Sequence, residues 1–73
     1  MDKEFCMRQV ALCDKWIAYN QDEIEKAKAE LVNATDSVAV DLQVQRVMDC
    51  VRHITQWERS RKDWLEWAEK DSK

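Results

Sequence analysis

The chain has 73 residues, of which 45% are hydrophobic and 37% charged, and its formal net charge is −3. Gly and Pro are both absent, which excludes glycine-rich phosphate loops and two-residue glycine hairpins and disfavours most β architectures. The acidic balance disfavours binding to nucleic acid or anionic membranes through their phosphates, and no apolar run approaches the roughly 20 residues of a membrane-spanning helix. The first residues lack the basic and apolar regions of a signal peptide, so we expect an all-α cytoplasmic protein.

The first predicted helix covers about residues 3–32. Small and apolar residues alternate there in steps of four and three, at Cys6, Val10, Cys13, Ile17, Asn20, Ile24, Ala27, Leu31 and Ala34. Large residues in one heptad position and small residues in the other allow a second helix to approach closely. Asn20 opens an Asn-x-x-Glu pattern that resembles a capping box. Since the apolar register continues through Asn20, we predict one unbroken helix.

A short segment rich in turn and cap residues separates the two predicted helices. Asn33 is the best candidate for a left-handed helix terminator in a chain without Gly, and Asp36 or Ser37 is predicted to cap the next helix. The second helix is predicted over about residues 37–70. The sequence therefore predicts a single domain over residues 1–73, a two-helix antiparallel hairpin with its turn at about 33–36.

The second helix carries an apolar stripe that we expect to face the first helix. It runs through Val40, Val44, Val47, Val51 and Ile54 at heptad spacing. It then slips by one residue, a local change of register, and continues through Trp57, Arg61, Trp64 and Ala68.

The first helix has more apolar surface than one helix–helix seam can cover. A second stripe, which lies beside the first, consists of Phe5, Leu12, Trp16 and Tyr19. A face this wide generally packs against more than one neighbour, and a single core of this size supplies only about 3–5 kcal/mol. We therefore expect a homodimer that forms an antiparallel four-helix bundle, with Asn20 as a polar residue that fixes the register.

All aromatic residues lie near the two chain ends, which the hairpin brings together. Trp and Arg are the side chains that most often anchor protein interfaces, and Arg61 lies between Trp57 and Trp64, where its guanidinium can stack on either ring. Either the rings are the core of the homodimer, or some of them, with Trp64 and Trp67 as the candidates, remain exposed for a second protein. The candidate interface comprises Phe5, Trp16, Tyr19, Trp57, Arg61, Trp64 and Trp67.

The residues that most often carry catalysis are scattered along the helices. Cys50 and His53 lie three residues apart, but a structural zinc ion needs four ligands, and no pair of carboxylates suggests acid–base catalysis in a pocket. We therefore predict no enzyme activity, no metal and no cofactor. The three cysteines are expected to be reduced thiols that serve as small core residues.

A modest basic cluster on the second helix offers an alternative function. It consists of Arg52, Arg59, Arg61 and Lys62. Acidic residues are interleaved with it, so a solvated, salt-bridged surface is the simpler interpretation. The alternative is a regulator that contacts nucleic acid through this cluster, with an affinity that falls steeply as salt rises.

In the length of its helices and the alternation of small and large residues at heptad spacing, the chain resembles the small plasmid copy-number regulators that dimerise as helical hairpins and bind paired RNA loops. In size and composition it also resembles the short accessory proteins of lambdoid bacteriophages, which redirect host proteins during infection. The second resemblance implies a regulator in the host cytoplasm. We therefore expect a non-catalytic protein–protein interaction protein that binds a larger protein through its aromatic open end.

Overall fold

The fold is an antiparallel pair of long α-helices. The computed structural model describes residues 2–71, with the backbone alone at position 71; Met1, Ser72 and Lys73 of the predicted domain lie outside the described residues. Helix α1 spans Lys3–Val32 and helix α2 spans Ser37–Asp71, which confirms the predicted all-α hairpin. The Cα trace measures 57 × 14 × 11 Å, so the hairpin is a rod in which each helix has one neighbour within the chain.

Helix α1 is unbroken from its first turn to its last. Asp2 caps its start, because the Asp2 carboxylate accepts a hydrogen bond from the amide of Glu4 at 3.2 Å. At Asn20 the side-chain amide donates to the carbonyl oxygen of Trp16 at 2.8 Å. The Asn20 side chain therefore bonds within the helix, four residues back, and does not cap a new helix.

The end of α1 differs from the prediction. Asn33 has φ −96° and ψ −2°, so the predicted left-handed terminator is wrong. The helix closes with bonds three residues apart, from the amides of Asn33 to Glu30 and of Ala34 to Leu31, at 3.1 and 3.2 Å. This tighter last turn satisfies the terminal carbonyls, so a positive φ is not needed.

The cap of the second helix is Asp36, one of the two predicted candidates. Its carboxylate accepts a hydrogen bond from the amide of Ala39 at 2.8 Å. A side-chain oxygen that bonds the third amide of a helix is the usual N-cap arrangement. The connection between the helices is therefore short, with Asp36 at its end.

The predicted stripe of α1 forms the α1 side of the core. Every member of the stripe is buried or half-buried. The fully buried members include Cys6, Cys13 and Ala27, and the cysteines, with Cys50 of α2, are free thiols in buried positions. The small side chains at these positions let the two helices approach closely, as the alternation predicted.

Three of the five residues in the first half of the predicted α2 stripe lie outside the seam. Val40, Val44 and Val51 are exposed, whereas Val47 and Ile54 are half-buried. The buried and half-buried residues that repeat at heptad spacing toward α1 are instead Ala39, Gln43, Arg46, Cys50, Trp57, Arg61, Trp64 and Ala68. At about 100° per residue, the exposed valines are turned by roughly 90° from this seam. The predicted change of register at residue 57 therefore does not occur within one stripe. The predicted residues before position 57 follow the valine stripe, whereas those from position 57 onward follow the neighbouring stripe that forms the seam.

Charged contacts across the helices accompany this register of the seam. Arg46 contacts the carboxylates of Glu23 at 2.6 Å and Glu30 at 3.3 Å. Arg46 can reach both α1 carboxylates only when its own face of α2, rather than the valine face, is turned toward α1. Its hydrogen bond to Glu23 holds the pKa of that carboxyl below its ordinary value.

Replacing Glu23 with glutamine is expected to flatten the acid end of the stability profile. Because the folded-state pKa of Glu23 is lowered from 4.5, its contribution to stability is present above that value and is lost as the pH falls through the lowered pKa. Urea unfolding followed by circular dichroism, from about pH 7 to about pH 3, measures this loss. The matched control is Glu25→Gln, since Glu25 pairs only on the surface with Lys28 at 3.4 Å. Identical profiles for the wild type and Glu23→Gln would contradict the assignment.

Candidate protein-binding surface

The hairpin brings the aromatic residues of both chain ends together. Trp16 of α1 stacks on Trp57 of α2 with ring centroids 6.2 Å apart and planes inclined by 16°. Phe5 and Trp64 meet edge to face at 5.7 Å. These two contacts join the helices over the half of the rod that holds the chain ends, and they fix the rings in place.

Each of these cross-helix pairs extends outward to a further ring. Tyr19 packs against Trp16 at 5.6 Å, and Trp67 packs against Trp64 at 4.9 Å, both edge to face. Edge-to-face and offset arrangements are the favourable geometries for aromatic pairs. The result is two clusters of three rings, one near the end of the rod and one nearer its middle.

The outer rings are only partly covered by the chain itself. Tyr19 is 54% exposed and Trp67 is 40% exposed, and Phe5, Leu12 and Trp16 are exposed to a similar degree. By helix geometry they lie on one side of the hairpin. We call this surface the aromatic face, and it consists of Phe5, Leu12, Trp16, Tyr19, Trp57, Trp64 and Trp67.

Leu12 is the member of this face that the predicted interface omits. Leu12 lies at the centre of the stripe that begins at Phe5 and ends at Tyr19, so its helical spacing from these residues could have identified it as part of the surface. A cation also lies beside the face, since Lys15 is 5.9 Å from the centre of the Trp16 ring. Such a contact is favourable at this distance.

Arg61 does not stack on the tryptophans as predicted. Its guanidinium instead donates to the carboxylate of Asp14 at 2.6 Å. Asp14 lies on the opposite side of the seam from Trp16, so the pair pulls Arg61 away from the aromatic face. Arg61 therefore belongs to the seam and its far edge.

The basic cluster of α2 lies on the outer surface of the hairpin. Arg52, Arg59 and Lys62 are exposed, and Arg61 is half-buried. Two of the four already have carboxylate partners, because Arg52 contacts Asp49 at 3.6 Å and Arg61 contacts Asp14. The cluster is thus a mixed-charge surface rather than a uniformly basic one.

The residues considered for metal binding differ in their burial. Cys50 is buried whereas His53 is exposed, and within residues 2–71 no group of three or more His, Cys, Asp and Glu side chains is placed to hold a metal ion. Burial raises the pKa of the Cys13 thiol, assisted by Asp14. A raised pKa favours the protonated thiol, which is a poor nucleophile.

One shallow groove lies next to Arg46 and its carboxylate partners. It has a volume of about 480 Å³ and is lined by Glu30, Leu42, Gln43, Gln45, Arg46 and Asp49. It is open to solvent, and its charged members already pair with one another or with neighbours. The groove therefore presents no buried polar group to a ligand.

Across the described helices there is no segment of the length and hydropathy that a bilayer crossing requires. No protein-family model, curated protein or solved structure matches the chain significantly.

Proposed function

We propose that this protein is a non-catalytic interaction protein that regulates a larger protein by binding it through the aromatic face. The observation that carries the proposal is the position of the rings. Two ring pairs join the helices, while Tyr19 and Trp67 extend from them into solvent. Exposed aromatic patches of this kind are typical of binding surfaces on small proteins.

The geometry favours binding because the exposed rings are held before a partner arrives. Trp67 is fixed against Trp64, and Trp16 is fixed between Tyr19 and Trp57. Rings that are ordered in the free protein lose less conformational entropy when they bind. The partner that fits this surface is a protein with an apolar groove, and the resemblance in size and composition to phage accessory proteins suggests a host protein in the cytoplasm.

The decisive experiment first identifies the partner and then weakens the contact. A photo-crosslinking phenylalanine analogue at Tyr19, in cytoplasmic extract, labels the protein that covers the face. Affinity for that protein is then measured for Trp67→Ala, which is expected to weaken binding by about thirtyfold, the effect of an interface anchor worth about 2 kcal/mol. Because Trp67 is 40% exposed, circular dichroism should show that the variant stays helical.

The matched control is Val38→Ala. Val38 is 77% exposed and lies at the turn end of α2, far from the aromatic face, so its truncation should leave the affinity unchanged. Equal affinities for the wild type and Trp67→Ala would contradict the proposal. Loss of helicity in Trp67→Ala and also in Trp64→Ala would instead show that the rings are structural.

The alternative function, binding to nucleic acid through Arg52, Arg59, Arg61 and Lys62, has weaker support. The Asp49 and Asp14 carboxylates neutralise two of these groups, and the net charge is −3. If the alternative holds, binding to RNA or DNA falls steeply between about 50 and 200 mM salt and is weakened in Arg59→Ala with Lys62→Ala. The absence of binding at about 50 mM salt would eliminate it.

A further inference from the structure

We propose that a second copy of this chain docks on the exposed valines of α2, so that two hairpins associate through antiparallel contact of their second helices. The surface, which we call the valine ridge, consists of Val40, Val44, Val47 and Val51. Val40, Val44 and Val51 are exposed and Val47 is half-buried. This pairing does not depend on the proposed function, because the valine ridge and the aromatic face lie on different sides of the hairpin.

The shape of the valine ridge suits a single helix. Its members follow one another in steps of four and three, which is the narrow stripe of a coiled-coil seam rather than the broad face of a globular core. Next to the ridge, α1 presents polar residues, including Gln21 and a surface pair between Lys28 and Glu25 at 3.4 Å. An apolar centre with a polar rim is the usual anatomy of an interface.

The ridge is complementary to itself when two copies run antiparallel. A twofold axis near residues 45 and 46 places Val40 opposite Val51 of the partner and Val44 opposite Val47 of the partner, as the twofold symmetry of such dimers requires. The same axis puts Asp41 on one flank beside Arg52 of the partner, offset by about 3 Å along the helix. Opposite charges thus meet at the rim, whereas the ridge itself contains no charged residue.

The exposed area of the single chain also matches what a dimer covers. The chain exposes 5525 Å². A globular protein of 8.7 kDa exposes about 800 Å² less by the usual scaling with mass. A standard interface buries about 800 Å² on each partner, so one such interface removes the excess.

The antiparallel arrangement has a consequence for the proposed function. With the axis near residue 45, the two aromatic faces lie toward opposite ends of the dimer and remain uncovered. Position 62, beside the aromatic end, is then separated from its symmetry mate by about 50 Å at 1.5 Å per residue. The dimer would therefore present two binding surfaces, and this part of the inference rests on the proposed function.

The test is the mass in solution of the wild type and of single-residue variants, measured by light scattering from about 1 to 100 µM. The wild type is expected to be a dimer of twice 8.7 kDa, and Val44→Lys is expected to be a monomer that remains helical, because Val44 lies outside the α1–α2 seam. The matched control is Leu42→Lys: Leu42 is 65% exposed on the same helix but lies off the ridge, so this variant should remain dimeric. Spin labels at Lys62→Cys should report a distance of about 50 Å in the dimer.

Four outcomes would overturn the proposal. A wild type that is monomeric at 100 µM, or a Val44→Lys variant that is dimeric, removes the valine ridge as the contact. If Tyr19→Lys dissociates the dimer and Val44→Lys does not, the aromatic face is the contact between copies. A distance under about 25 Å between the spin labels at position 62 would show that the two copies run parallel. If Val44→Lys is monomeric and still binds the partner identified from Tyr19, the proposed function is unaffected.

Discussion

Replacing Ala27 with leucine is expected to destabilise the hairpin by about 1–3 kcal/mol, the usual cost of overpacking a closely packed site. Ala27 is 0% exposed and occupies one of the small positions of the α1 stripe. Because only one partner helix lies against it, the added methyl groups must either push α2 away or adopt a poor rotamer. In a domain whose core supplies about 3–5 kcal/mol, this change removes a large part of the free energy of unfolding.

The measurement is urea unfolding followed by circular dichroism, with Ala29→Leu as the control. Ala29 is exposed on the same helix, two residues away, so leucine at that position should change the stability by less than about 0.5 kcal/mol. If the two variants unfold at the same urea concentration, the small residues do not set the distance between the helices. Protein concentration is kept constant across the series, since dimerisation would make the apparent stability depend on it.

The fold could be predicted from the sequence because the clearest pattern in it, the apolar periodicity of α1, reflects the burial of apolar surface, which is the main force that drives folding. The stripe from Cys6 to Leu31 has no competitor on α1 with the same regularity, so it could be assigned to the core without ambiguity. The starts of both helices are fixed by local chemistry as well, with Asp2 and Asp36 as caps, and of these Asp36 was one of the two predicted candidates. Apolar periodicity and helix capping both depend on residues that lie close together in the sequence, so both can be identified from the sequence alone.

The seam of α2 was predicted incorrectly because hydrophobicity alone favours the valines. Val40, Val44 and Val51 are more apolar than Gln43 and Arg46, which occupy the seam instead. Arg46 is stabilised there by Glu23 and Glu30, and its alkyl stem covers apolar surface. This choice depends on which residues of α1 lie opposite, and the register between two helices cannot be obtained from either helix alone.

The same limit applies to the candidate binding site. That rings from both chain ends meet across the helices follows from the position of the turn, but the structure divides them into two clusters, one near the open end and one nearer the middle of the rod. The direction of Arg61 does not follow, because Asp14 becomes its neighbour only once the helices are aligned. Spacing on one helix placed Arg61 between two tryptophans, but a carboxylate of the other helix provides the stronger contact.

Two apolar surfaces remain on a hairpin of this shape, and their separation gives each a distinct role in our proposals. The valine ridge is narrow, aliphatic and self-complementary, which suits a second copy of the same helix. The aromatic face is broad and carries rings that point outward at Tyr19 and Trp67. If one surface served both purposes, dimerisation and partner binding would compete, whereas two surfaces allow both at once.

Replacing Asn20 with aspartate is expected to destabilise the hairpin by about 3 kcal/mol at neutral pH, the lower end of the cost of leaving a buried charge without a partner. Asn20 is 6% exposed, and its amide donates to the carbonyl of Trp16 at 2.8 Å. A carboxylate at this position has no hydrogen to donate, and its charge faces the carbonyl oxygen. Gln21→Glu is the matched control, since Gln21 is exposed and there the same change from amide to carboxylate leaves the charge in water.

The effect of Asn20→Asp should depend on pH in a defined direction. Burial raises the pKa of the introduced carboxyl in the folded state above its unfolded value of about 3.9. The loss of stability is therefore small below about pH 3.9, grows as the pH rises through the folded-state pKa, and is complete above it. Urea unfolding at several pH values measures this trend, and Asn20→Leu, which introduces no charge, should show no such dependence. A penalty for Asn20→Asp that is the same at about pH 3 and about pH 7 would mean that the side chain at position 20 reaches water and that the seam is looser than its burial indicates.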